Sequence, residues 1–440
     1  MLGLKSFFRD YRRPAGRGIA PRAHRTGHLA SALGLVLSLL ATLPAAAITD
    51  TFETAPERDP ADALQVPLKG PGYELLPPAR PEQGFRVYTL QEESGVVTLK
   101  GDGLALQRLK EISVLEGLRQ AQTTESFMAG VKQAAGKPVD FVQNTVANPI
   151  GTAKDTAAGV GKVLSRISDG VEKAVTGEIT SAGDLARTLT GQAEARRELA
   201  FKLGVDPYTT YAPLAEALDN AATVSTAGSL GISAVLALVP GGLAMRAVGA
   251  TEDLREMVLE ESREELMSRT RQALISQGIA AETTDRLLQN PHYTPTELAV
   301  IAYHLKDMGA LKNKSVLVAQ AADAEERGLA YAELRRIVLL LNYHRTVSPL
   351  SNMRLVSGLP VALSANGHAL LALPYDTVAW TSEMASRLIT IQAKLENDPF
   401  PPTLVQLMMP GDMTDLAAER LTSFGWDLTA TLPMPDSVIH

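Results

Sequence analysis

Cysteine is absent from this 440-residue chain. Without a thiol there is no disulfide framework, no thiolate metal site and no cysteine nucleophile. Histidine is nearly as scarce, with seven in all, and beyond residue 47 only His292, His304, His344, His368 and His440. No two of these stand four apart as on one helical face, and none has an acid at ligand spacing, so neither metal nor cofactor is expected. Also missing are a G-x-S-x-G elbow, a phosphate-binding P-loop and a G-x-G-x-x-G turn after a strand, the usual marks of hydrolase and nucleotide chemistry. Basic residues are outnumbered, 42 Lys+Arg against 49 Asp+Glu, for a net charge of −7. That balance argues against a nucleic-acid binder, which needs a clustered positive face. With 45% hydrophobic residues the chain is too apolar for disorder throughout, and its length suits two or three domains.

The charge that is present is unevenly placed. Lys5, Arg9, Arg12, Arg13, Arg17, Arg22 and Arg25 face a single acid, Asp10, in the first 28 residues. An uncharged run from Leu29 to Leu43 and the exit Pro44-Ala45-Ala46-Ala47 follow. A positive region, an apolar core and a small-residue exit are the three parts of a secretory signal peptide. Residues 1–47 therefore read as a signal peptide cleaved near Ala47, with the periplasm or the exterior as destination. Removing its seven basic residues and one acid from 42 and 49 leaves 35 and 48, a net charge of −13.

Residues 48–84 carry seven prolines from Pro56 to Pro81 and read as an extended linker. Two β-rich runs, Phe85 to Leu90 and Val96 to Leu99, flank Glu93-Ser94-Gly95, and a leucine-spaced helix follows, so 85–125 reads as a hairpin plus helix. Residues 126–350 read as a helical domain. Within it, Ile150, Val160, Leu164, Ile167 and Val171 lie on a thin amphipathic stripe whose polar faces are slightly basic. These five positions are the expected membrane-surface or partner interface. Residues 224–239 are uncharged, yet sixteen residues span roughly 24 Å against a hydrocarbon core of about 30 Å. In Val205-Asp-Pro-Tyr-Thr-Thr-Tyr-Ala-Pro213, turn chemistry accounts for Asp206-Pro207 without a ligand. Thr294-Pro295-Thr296-Glu297 supplies a helix cap, a first-position proline and a capping-box acid.

After Pro349 the period changes. Strand-like runs flank Asn366-Gly367, a strong hairpin signal. A helix, a strand, a second helix and a last strand at Trp426 to Leu432 make 351–440 a small α/β domain. Trp380 and Trp426 are its expected core anchors, each needing a partner for its indole N–H. Ser364, His368 and Asp376 are the compact Ser/His/Asp set, but closeness in sequence carries little weight for a triad.

The expected fold is thus mainly α, with a helical middle domain, a small N-terminal hairpin unit and a C-terminal mixed α/β domain. The expected function is that of an exported, non-enzymatic envelope protein that associates with a protein partner or a membrane surface. Two alternatives stay open: an envelope hydrolase with its site between the helical and C-terminal domains, and a secreted protein inserting residues 224–239 into a membrane.

Overall fold

Strand structure begins inside the proline-rich stretch. The computed structural model describes residues 51–122, 182–226, 252–309 and 311–432. Helix α1 (Pro60–Leu64) precedes strands β1 (Lys69–Gly70), β2 (Tyr73–Glu82), β3 (Phe85–Glu92) and β4 (Gly95–Lys100). The four strands form an antiparallel sheet in chain order. This differs from the linker expected over residues 48–84. The prolines fit because β2 is irregular where Pro77 and Pro78 fall, its register shifting between Leu76 and Arg80, and proline is accepted at bulges and on outward edges. The outer side of β2 is closed by Arg58, which exchanges two backbone hydrogen bonds with Ala79 (3.1 and 2.8 Å).

Helix α2 (Asp102–Gln122) lies on the inner face of this sheet. Its buried Leu104, Leu109, Ile112, Leu115 and Leu118 share a core with Leu75, Tyr88 and Leu90. Each such side chain contributes about 1.5–3 kcal/mol on leaving water. The helical section comprises α3 (Ala182–Leu203), α4 (Ala212–Thr226), α5 (Glu252–Glu260), α6 (Arg263–Ser276), α7 (Ala281–Leu288), α8 (Pro295–Asp307), α9 (Ser315–Ala322) and α10 (Arg327–Thr346). Helix α8 starts with a full capping box: the Thr294 hydroxyl accepts from Glu297 N–H (3.2 Å) and Glu297 Oε2 accepts from Thr294 N–H (2.9 Å). Helix α10 is apolar on every side around Ile337 and Leu339 to Leu341 because it touches both β4 and the C-terminal sheet.

That second sheet has the order β11-β9-β7-β6-β5. Strands β5 (Leu350–Val356), β6 (Leu359–Ser364) and β7 (His368–Ala372) are antiparallel, with Asn366-Gly367 between β6 and β7 and Gly367 at φ +78°. Strands β9 (Leu404–Met408) and β11 (Asp427–Thr429) add in parallel through α11 (Ser382–Glu396) and α12 (Asp415–Ser423). Two short strands, β8 (Thr377–Val378) and β10 (Asp412–Met413), pair separately. Trp380 and Trp426 are buried here. The Trp426 indole donates to Gln392 Oε1, whereas Trp380 Nε1 finds no partner among the described residues. Phe85, from the first sheet, belongs to this core and meets Tyr375 edge-on at 5.2 Å.

The mainly α expectation is corrected. Among the described residues there are 12 helices and three sheets of four, five and two strands, about half helix and 20% strand, a mixed α/β fold. The signal peptide of residues 1–47 and the stripe through Ile150, Val160, Leu164, Ile167 and Val171 lie outside the described residues, as does 227–239 of the uncharged segment. Among the described residues no helix is long and apolar enough to cross a membrane.

Close approach of β10 to β8 depends on Gly411. A Cβ there would stand 2.0 Å from the Asp376 carbonyl oxygen, to which Asp412 N–H donates at 3.0 Å. Gly411→Ala should cost about 1–3 kcal/mol through overpacking, read as a lower urea midpoint; unchanged stability would contradict this packing.

Candidate functional site

In a β-strand, successive side chains point to opposite faces. Val97 and Leu99 of β4 lie on the inner face with Tyr88 and Leu90, opposite which they pair, and Thr98 and Lys100 lie on the outer face with Val87. A cleft of about 470 Å³ is lined by all four consecutive residues, Val97 to Lys100. Space that touches both faces of one strand runs along its edge. Strand β4 is the last of its sheet, so the cleft follows the unpaired side of β4.

The direction of the β4 backbone confirms which groups face that side. Gly101 N–H donates to the Arg86 carbonyl at 2.8 Å, continuing the register Val97↔Leu90 and Leu99↔Tyr88. In an antiparallel ladder, hydrogen-bonded and non-hydrogen-bonded pairs alternate. The N–H and C=O groups of Val96, Thr98 and Lys100 therefore point away from β3. Val96 is 60% exposed. At the far end, a Cβ on Gly328 would come within 2.8 Å of the Lys100 carbonyl oxygen, so glycine lets the start of α10 close that end of the cleft.

The other walls are set by polar contacts. From α2 come Leu104, Gln107, Arg108 and Glu111; from α10, with its cap, come Glu326, Arg327 and Gly328; Thr210 belongs to the loop before α4. Asp206 positions this loop. Its carboxylate accepts from Tyr208 N–H (2.8 Å), the Thr294 hydroxyl (2.5 Å) and the Thr296 hydroxyl (2.7 Å). Burial, and then the nearby Glu297, raise its pKa. Thr209 donates to Glu111 Oε1 at 2.5 Å, and Arg108 stacks 4.2 Å over the Tyr211 ring. Burial raises the pKa of Glu111 as well. Arg327 is held by Glu297 in a bidentate pair (2.9 and 2.6 Å).

Two ion-pair groups border the cleft on opposite faces of β4. On the outer face Lys100 lies between Glu82 (2.5 Å) and Glu326 (2.6 Å). On the inner face Arg108 lies between Glu92 and Glu111, 3.3 Å from each. Gln107 Oε1 is buried with no hydrogen-bond partner among the described residues.

A second polar cluster begins where β4 ends. Arg86 is buried and donates to Asp102 Oδ2 and Asp412 Oδ2, both at 2.6 Å. Asp102 Oδ1 accepts from the Tyr88 hydroxyl at 2.5 Å. Asp376 Oδ2 accepts backbone N–H groups from Arg86 (2.8 Å) and Asp102 (3.1 Å). Burial, followed by the charge of Asp102, pushes the Asp376 carboxyl up to about 8.

The expected Ser/His/Asp set is not assembled. Asp376 is committed to this cluster, while Ser364 Oγ accepts the backbone N–H of His368 at 3.2 Å. His304 is buried, and burial lowers its pKa to about 4. His344 Nδ1 accepts from Leu350 N–H at 3.0 Å. Among the described residues no group of three or more His, Cys, Asp or Glu could hold a metal ion. No local motif in the sequence marks the β4 cleft, although Thr210 of the Val205–Pro213 segment is one of its walls.

Comparison with protein-family models, with curated proteins and with solved structures finds no match to this chain.

Asp376 gives a pH test. Below the unfolded carboxyl pKa of about 4 both states hold the proton. Between there and about 8 the folded state alone holds it, so this group makes folding progressively less favourable as pH rises, and the full loss is present above 8. Asp376→Asn keeps an oxygen for the two N–H donors and cannot ionise. The stability of Asp376→Asn relative to the natural chain should therefore rise from pH 5 to pH 8 and then level, measured by urea unfolding. A constant difference would refute the shift.

Proposed function

We propose that this chain is an exported, non-enzymatic binding protein that takes an extended segment of another polypeptide as an added strand on β4. The observation that carries this reading is the cleft along the unpaired edge of β4, onto which Thr98 turns its N–H and C=O, with Val96 exposed beyond it and the start of α10 closing the Lys100 end.

The treatment of the other edges supports it. Exposed strand edges invite pairing, and proteins shorten, cover or interrupt those they do not use. Strand β1 has two residues and β11 three. The side of β2 is interrupted by prolines and paired to Arg58. On β5, Lys312 accepts from Met353 N–H and donates to the Ser351 carbonyl, both at 3.0 Å. Among the described residues β4, with six residues, is the long edge left uncovered except at its Lys100 end, where α10 begins. Strand addition draws affinity from main-chain hydrogen bonds and specificity from alternate side chains.

Thr98→Pro tests the reading. It removes an outward N–H while leaving the hydrogen-bonded pairs of Val97 and Leu99 with β3, a placement that edge strands accept. Peptides selected on the full chain from a displayed random nonapeptide library should bind Thr98→Pro at least about tenfold more weakly, with its urea midpoint nearly unchanged. They should also slow amide hydrogen exchange at Val96, Thr98 and Lys100. Equal binding to both proteins, or slowed exchange elsewhere alone, would overturn the proposal.

A further inference from the structure

Charge around the β4 edge indicates what kind of segment it takes. Arg327 is consumed by its bidentate pair with Glu297. What remains is two cations, Lys100 and Arg108, among four carboxylates: Glu82 and Glu326 on the outer face, Glu92 and Glu111 on the inner. Each face thus holds one carboxylate more than it has cations. On the inner face the unpartnered Gln107 Oε1 adds an acceptor with no donor. Glu92 and Glu111 are almost fully buried, with side chains 2% and 7% exposed, in surroundings where an uncompensated carboxylate is costly.

We infer that the segment bound on β4 is basic, with two Lys or Arg residues at an odd spacing. This rests on the strand-addition reading and adds the chemistry of the partner. A strand laid along β4 continues the alternation of side chains, so residues an odd number apart fall on opposite faces. One cation then reaches Glu82 and Glu326, and the other reaches Glu111 and Gln107 Oε1. Two cations at an even spacing fall on the same face, where one surplus carboxylate is available, and the other face stays uncompensated. The two groups lie at different heights along the strand: Glu82 and Glu326 meet Lys100 at its end, whereas Glu92 pairs with Gly95 at its start. Helix α2 runs back from the end of β4 toward Glu93, which its Arg119 binds, so at about 1.5 Å per helix residue against about 3.3 Å per strand residue Gln107 and Glu111 stand roughly two to four residues back from Lys100, and three is the odd spacing in that range.

The test uses the full chain and four fluorescein-labelled nonapeptides built on one Thr/Val/Ser background. The first has two lysines three apart, the second two lysines two apart, the third glutamates in place of the first pair, and the fourth is neutral. Anisotropy titrations at 50 mM and 300 mM salt give affinities, and amide exchange at Val96, Thr98 and Lys100 reports strand pairing. The expected order places the three-apart lysine peptide at least about tenfold tighter than each of the others at low salt, an advantage that shrinks at high salt. Glu326→Gln, at a partly exposed position, should remove about half of that advantage on a logarithmic scale, while Glu383→Gln on the distant α11 should leave it intact. If all four peptides slow exchange on β4 with equal affinity, or the glutamate peptide binds best, the charge inference fails and strand addition stands. If none slows exchange there, both fail together.

Discussion

Arg86 is the point through which the first sheet and the β8–β10 pair depend on one another. Its guanidinium binds Asp102, which follows β4, and Asp412, which starts β10, while its backbone N–H is received by Asp376 beside β8. A buried arginine is tolerable only when its charge is matched, here by Asp102 and Asp412 although Nε has no partner among the described residues, and breaking such a group is typically worth about 3–5 kcal/mol. Phe85 next to it inserts into the C-terminal core. The first sheet is therefore fixed at its β3–β4 end by ions on one side and by apolar burial on the other. The end of β4 near Lys100 and Gly101 is consequently the part of the edge tied to the C-terminal section.

The cleft owes its shape to residues whose first task is structural. Asp206 caps its own turn and ties that turn to the start of α8 through Thr294 and Thr296. Glu297 completes the α8 capping box and pins Arg327. These contacts set Thr210 and the start of α10 opposite β4. Side chains held in this way lose little further freedom when a ligand arrives, which favours binding.

Local chemistry was legible from the sequence where it was self-contained. Thr294-Pro295-Thr296-Glu297 forms the capping box its order implies, and Asn366-Gly367 turns between β6 and β7. What could not be read was pairing between distant segments. Residues 73–82 carry a proline density that argues for a linker, and they become a strand because β3 and Arg58 flank them. Arg86, Asp102, Asp376 and Asp412 are spread over more than three hundred positions, and none has a local pattern that announces a cluster. The same holds for the β4 cleft. Glu93-Ser94-Gly95 signals a hairpin, but whether its second strand has a further neighbour is a property of the whole sheet.

The protection of β2 by proline and of β5 by Lys312 has a consequence for assembly. Growth of a sheet from molecule to molecule requires two complementary edges on each copy, one to receive and one to be received. With one long edge open among the described residues, contact between two copies through β4 would use that edge on both and close on itself. Among the described residues, the unpaired strand at the surface thus comes without a second long open edge from which a fibre could propagate.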